Sequence, residues 1–269
     1  MVKNILKLVT RICFFVFIAA GSFLFAELKP SEIMDAVLKQ GSSEDQVMKV
    51  KMTLVSEGNK THERTATLYS KRKKGEDDMR LIYFHTPLDM ADNGVLTIEN
   101  SNRDNDQWAY IPAYHTVRRI ASSNLTDNYM GTDYSYEDAA DPITSKYLYK
   151  IVSNETIRDT VWTVISAVPV NKKLKSETAY SEITYWVDPV KYVVSRTIYR
   201  DKDGKMFKEL VNSDLKSYET KEGVKYRWER TEMKNIKTKH KTITEVTSIK
   251  IDSGISENIF TERYLKTGK

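Results

Sequence analysis

The chain holds one cysteine, six prolines, ten glycines and four histidines in 269 residues. Each scarcity removes a class of explanation. Cys13 alone cannot form an intramolecular disulfide or a thiolate metal site. It also stands at the start of an apolar run, whereas a lipoprotein signal needs its cysteine at the end, so the pattern argues against lipidation. His62, His85, His115 and His240 are scattered, with no H-E-x-x-H and no i,i+4 pair to hold a metal. No G-x-S-x-G elbow and no phosphate-binding loop occurs. Carboxylate pairs such as Asp77-Asp78 and Glu137-Asp138 would do acid–base work only if the fold placed them in a cleft. No repeat, linker or low-complexity tract is visible. Beyond residue 26 no apolar run is long enough to span a membrane. The expectation is therefore a non-catalytic protein without a cofactor.

The first residues address the chain to a compartment. Lys3, Lys7 and Arg11 precede the apolar residues 12–25, and Ala26 closes the run. A basic start, a short apolar stretch and a small terminal residue form the pattern of a secretory signal peptide over 1–26. The run of about 14 residues is short for a span of roughly 20, so an uncleaved anchor is the lesser reading. Cleavage after Ala26 would remove three of the 42 bases and no acid, leaving 39 bases against 37 acids. A net charge of about +2 does not point to nucleic acid. Residues 27–269 are expected to form a single domain in the periplasm of a Gram-negative-type envelope, without disulfides because a chain of this size can build a large core.

Residues 30–41 predict one opening helix. Pro30, Ser31 and Glu32 make a start signal with Ser31 as the cap, apolar Ile33, Met34, Val37 and Leu38 follow at helical spacing, and Gly41 stops it. Strands then dominate. In residues 47–56, Met48, Val50, Met52 and Leu54 alternate with Lys49, Lys51 and Thr53, the period of a half-buried strand. Further strands are expected over 62–71, 79–85, 94–100, 107–111, 117–120, 147–153, 161–168, 181–187, 192–200, 205–212, 215–220, 224–233 and 241–251. A short helix with Ser256 as its cap is expected over 257–265. Residues 71–78 form a charged loop tip. Consecutive strands joined by short turns require a large antiparallel sheet, curved or closed to manage its edges. Sixteen Tyr, eight Phe and four Trp suit a surface that meets both lipid and water. Residues 121–140 break the pattern: polar, aperiodic, and carrying Tyr129, Met130, Tyr134 and Tyr136. A stretch of about 20 residues without a period is uncommon inside a compact domain and often functional.

Residues 107–138 carry a longer motif. Trp108, Tyr110 and Pro112 are followed by Val117-Arg118-Arg119-Ile120, then by Tyr129-Met130-Gly131-Thr132-Asp133-Tyr134 and Tyr136-Glu137-Asp138. This block resembles the LolA-like outer-membrane lipoprotein-sorting family, with Tyr for Phe twice and Thr for Ser once. Trp186-Val187-Asp188, Asp203-Gly204-Lys205, His240-Lys241-Thr242 and Phe260-Thr261 extend the resemblance over nearly all of 27–269. The resemblance implies a mainly β fold with a few helices: a strongly curved antiparallel sheet, an incomplete barrel, closed by helices over a cavity for acyl chains. It also implies service beside an inner-membrane transporter of the resistance-nodulation-division type.

The function expected is a periplasmic carrier that takes lipid or lipoprotein acyl chains toward the outer membrane. Partners would be the cargo, a transporter donor and, transiently, a membrane, with the protein itself a monomer. Burial is worth about 0.8 kcal/mol per methylene, so two chains with about 30 methylenes need roughly 24 kcal/mol replaced on leaving a bilayer. Met48, Met52, Met79 and Met130 are candidates for a pliable lining, with ordinary core packing as the leading alternative for each. Tyr83, Trp108, Tyr110, Tyr129, Tyr134 and Tyr136 complete the apolar candidates. Arg118 and Arg119 could grip a phosphate or carboxylate, or pair with an acid such as Asp133 or Asp138. The competing readings are a transporter adaptor with an exposed apolar patch, an enzyme of envelope glycan or lipid, and an outer-membrane barrel.

Overall fold

A computed structural model describes residues 28–72, 78–100 and 103–268. The leader expected over 1–26, with Cys13, lies outside the described residues, as does most of the charged tip at 73–77. Among the described residues no helix is long and apolar enough to cross a membrane.

Helix α1, Pro30–Gly41, opens the fold. Pro30 takes the first helical position, where its missing N–H is no loss. The Lys29 N–H donates to Glu32 Oε2 at 2.9 Å, so the start falls at Lys29 and Ser31 sits within the first turn rather than capping it. Six strands follow: β1 Asp45–Val55, β2 Thr61–Arg72, β3 Asp78–Thr86, β4 Gly94–Ile98, β5 Asp106–Ile111 and β6 Thr116–Arg119. After a long connection come β7 Tyr147–Ile157, β8 Thr160–Pro169, helix α2 Lys172–Glu177, β9 Glu182–Asp188 and β10 Val193–Arg200. Strands β11 Met206–Thr220, β12 Gly223–Asn235 and β13 His240–Ile251 complete the sheet, and helix α3 Glu262–Thr267 ends the chain. Residues 205–212 and 215–220, read as two strands, form the single β11: Asp214 takes a left-handed φ of 61° without breaking the ladder to β12. Helix α2, at six residues, is too short to show a period in sequence. The closing helix is split into a 3-10 turn at Glu257–Ile259, capped by Ser256, and α3, capped by Thr261.

The strands make one antiparallel sheet of thirteen in the order β6-β5-β4-β3-β2-β1-β13-β12-β11-β10-β9-β8-β7. It is curved but not closed into a barrel. The order has one consequence that governs everything else. Strands β1 to β6 step outward to one edge, and β7 to β13 step inward from the other. Consecutive β6 and β7 therefore lie at opposite edges, and residues 120–146 must cross the sheet as a strap.

The two faces are covered differently. On the outer face, Met79, Leu81, Leu96 and Tyr110 pack beneath Phe260 and Leu265 of the C-terminal segment. Gly94 permits this approach: a Cβ there would lie 2.8 Å from Leu265 Cδ1 and 2.9 Å from the Ile82 carbonyl oxygen. On the inner face, α1 sets Ile33 and Met34 against Ile165 and Val187. The strap covers the rest, with Tyr129, Met130 and Tyr136 packed on Val50, Met52, Ile82, Phe84 and Val95.

Candidate functional site

The strap turns on Met130 and Gly131, both left-handed at φ 49° and 73°. The glycine takes that conformation without strain. The reversal lets the Tyr129 N–H reach the Tyr134 carbonyl at 2.8 Å, and Arg64 Nη1 donates to the Met130 carbonyl at 2.5 Å. From there the strap is pinned to successive strands. Asp133 accepts from Thr242 Oγ1 at 2.7 Å and pairs with His240 Nδ1 at 2.6 Å, both on β13. Tyr134 OH meets Thr231 Oγ1 of β12 at 3.2 Å. Asp138 pairs with Lys208 Nζ of β11 at 3.1 Å, and Tyr180 OH donates to its other oxygen at 2.6 Å. Glu137 accepts from the Thr178 hydroxyl and, at 3.1 Å, from the Ala179 N–H.

Between sheet and strap lie two cavities. The first, about 320 Å³, is walled by Met48, Val50, Met52, Ile82 and Val246 of the sheet and by Tyr129, Thr132, Tyr134 and Ala139 of the strap. The second, about 400 Å³, lies under α1, with Met34, Val37, Ile183, Tyr185, Val194 and Leu210 as its apolar wall and Leu125, Tyr136, Glu137 and Ile143 from the strap. Asp138 borders both. A third, more polar cleft of about 790 Å³ lies beside α2, lined by Ser122, Ser123, Lys202 and Asp203 among others.

Ionisation follows burial. Loss of water raises the phenols of Tyr129 and Tyr136, the Tyr136 phenol adding to the first effect, and pushes Tyr134 up to about 12. Burial likewise raises Glu137, against the hydrogen bonds from Thr178 and Ala179. The aromatic wall is thus uncharged over the whole physiological range.

The candidate residues fall into three groups. Met48, Met52, Tyr129 and Tyr134 meet at the smaller cavity, and Tyr136 lines the larger. Met130 packs on the neighbouring inner core. Met79, Trp108 and Tyr110 lie on the outer face with the C-terminal segment, and Tyr83 lies beside Gly94 and Gly268 there. Arg118 and Arg119 occupy the edge strand β6. Arg118 stacks 5.2 Å above the Tyr114 ring, and Arg119 pairs with Asp106 rather than with Asp133 or Asp138. Neither arginine lines one of these three cavities. The wall supplied by α1, β9 and β10 is missing from the sequence-based set. Residues 181–187 were legible as a strand, but that does not say which of its faces is inner.

Asp78, Glu99 and Asp141 bring three carboxylates within 4.8 Å of one another. Arg80 stands among them, its Nε 3.0 Å from Glu99 and its Nη2 paired with Asp141. The group reads as a charge-compensated brace between β3, β4 and the strap.

A family model described as uncharacterized protein matches residues 76–267. The chain belongs to that family. Comparison with curated proteins gives no match. Solved structures share the fold. A Vibrio parahaemolyticus domain provisionally described as an outer membrane lipoprotein-sorting protein superposes with a TM-score of 0.80 at 24% identity, covering 88% of this chain and 98% of that one. A DUF1329 family protein from Desulfovibrio piger gives 0.79 at 25% identity, covering 88% and 97%. A LolA superfamily protein from Nitrosomonas europaea gives 0.65 at 15% identity, covering 86% and 98%. The fold is therefore the LolA-like one that the motif at 107–138 implied.

Proposed function

We propose that the protein is a non-catalytic periplasmic carrier that shelters acyl chains of a lipid or lipoprotein between its sheet and its strap. The observation that carries this reading is the pair of mainly apolar cavities on the inner face, covered by α1 and the strap, the larger with a polar rim that includes Asp104, Asp141, Lys146 and Glu177. A carrier must replace the burial that a bilayer gives, about 0.8 kcal/mol per methylene, without holding the chain so tightly that release fails. Methionines at Met34, Met48 and Met52 give such a wall adaptable shape. The signal-peptide pattern over 1–26 supports export, and a transporter or membrane would supply and receive the cargo.

A second reading, an adaptor for an inner-membrane transporter, draws on the edge strand β7. Leu148 and Val152 there are more than half exposed, and Leu148 pairs across the ladder with the exposed Val168. Exposed apolar groups beside an open sheet edge suit protein contact.

The two readings part in one experiment. The exported protein is purified from periplasm without detergent and weighed by native mass spectrometry, with lipid extraction in parallel. Stoichiometric lipid or a lipoprotein fragment is the expected result. A bare mass that persists after incubation with envelope lipids would overturn the carrier and favour the adaptor.

A further inference from the structure

The strap does more than cover the inner face. Its residues divide between the cavities: Tyr129, Thr132, Tyr134 and Ala139 line the smaller, while Leu125, Tyr136, Glu137, Ala140 and Ile143 line the larger. It therefore runs between them as a partition, and Asp138 is the post that both share. That post is firmly set. Asp138 and Lys208 form an ion pair whose side chains are only 5% and 6% exposed. Tyr180 OH and the Ser135 N–H complete the shell of the carboxylate at 2.6 and 2.8 Å. Removing one member of such a pair strands a buried charge, so the partition resists displacement by an entering apolar chain.

The volumes say what fits on each side. An apolar cavity of about 150 Å³ accepts the six carbons of benzene, or roughly 25 Å³ per carbon. On that scale the 320 Å³ cavity holds about 13 carbons and the 400 Å³ cavity about 16. Each is the size of one acyl chain, and neither is large enough for two. One long chain threading both would have to pass the Asp138–Lys208 post.

Resting on the carrier reading, we infer that the protein takes a two-chain amphiphile astride the strap, one acyl chain in each cavity. The shared chemistry is a pair of acyl chains on one small polar backbone, which a glycerophospholipid and a diacylglyceryl-cysteine lipoprotein anchor both supply.

Native mass spectrometry of the intact exported protein tests this with three probes whose chains fit both cavities: lauroyl-lysophosphatidylcholine, dilauroyl-phosphatidylethanolamine and a dilauroyl-glyceryl-cysteinyl peptide. The wild type should hold two copies of the single-chain probe or one copy of a two-chain probe, each displacing the other. Preference between the last two names the source of the cargo. Val246→Phe narrows the smaller cavity and Val194→Phe the larger. Each variant should hold one single-chain copy and bind the two-chain probes at least tenfold more weakly. Circular dichroism and urea unfolding verify that each variant is folded. If the wild type saturates with one single-chain copy while still holding one two-chain copy, the partitioned site is wrong and the carrier stands. Failure of all three probes to bind would sink the carrier reading itself.

Discussion

Replacing Lys208 by Met removes the cation behind the partition while keeping most of the side-chain volume. The change leaves the Asp138 carboxylate in a nearly dry site, with Tyr180 OH and the Ser135 N–H as its remaining donors. Breaking a buried pair from one side typically costs about 3–5 kcal/mol. The two surviving hydrogen bonds place the expectation near the lower end, at about 3 kcal/mol. For a domain of this size, with about 2–4 °C per kcal/mol, the midpoint should fall by roughly 6–12 °C. Urea unfolding followed by tryptophan fluorescence measures it. Adding Asp138→Asn removes the stranded charge, keeps an oxygen for the Ser135 N–H and turns its amide N–H toward the Tyr180 hydroxyl, which can rotate to accept, so the double variant should recover about 1–2 kcal/mol of the loss. A Lys208→Met variant within about 0.5 kcal/mol of wild type, the range of ordinary surface substitutions, would refute the reasoning. So would a double variant that simply adds two independent losses.

Gly94→Ala should cost about 1–3 kcal/mol, because its Cβ meets the Ile82 carbonyl at 2.9 Å as well as the movable Leu265. A matching rise in proteolysis near the C-terminus would locate the damage at α3, and unchanged urea stability would contradict the packing. Burial, with Asp141 and Asp78 adding to it against the opposing Arg80 charge, pushes Glu99 up to about 7. The folded state then binds the Glu99 proton more tightly than the unfolded chain. Its stabilising contribution is present below about 4.5 and is lost as pH rises through about 7. Glu99→Gln should flatten the stability profile across that window, whereas parallel profiles for variant and wild type would reject the shift.

Period-two alternation along β1, the succession of short apolar segments after it and the aperiodic stretch at 121–140 are local signals. They determined by themselves that the chain is a large antiparallel sheet and that one long stretch stands outside it. The motif from Trp108 to Asp138 pointed to the LolA-like fold because it encodes the strap and its anchor points. The apolar positions were legible as well, but their roles were not. Met52 and Met79 look alike in sequence, each an apolar residue in an expected strand. One lines a cavity and the other lies under the C-terminal segment. The difference arises from the strand order, which puts β6 and β7 at opposite edges and forces residues 120–146 across one face only. Arg119 likewise found its acid on the adjacent strand, at Asp106, a pairing set by register that no spacing reveals. Alternation fixes that a strand has two faces. Only the closing of long-range contacts decides which of them becomes the inside.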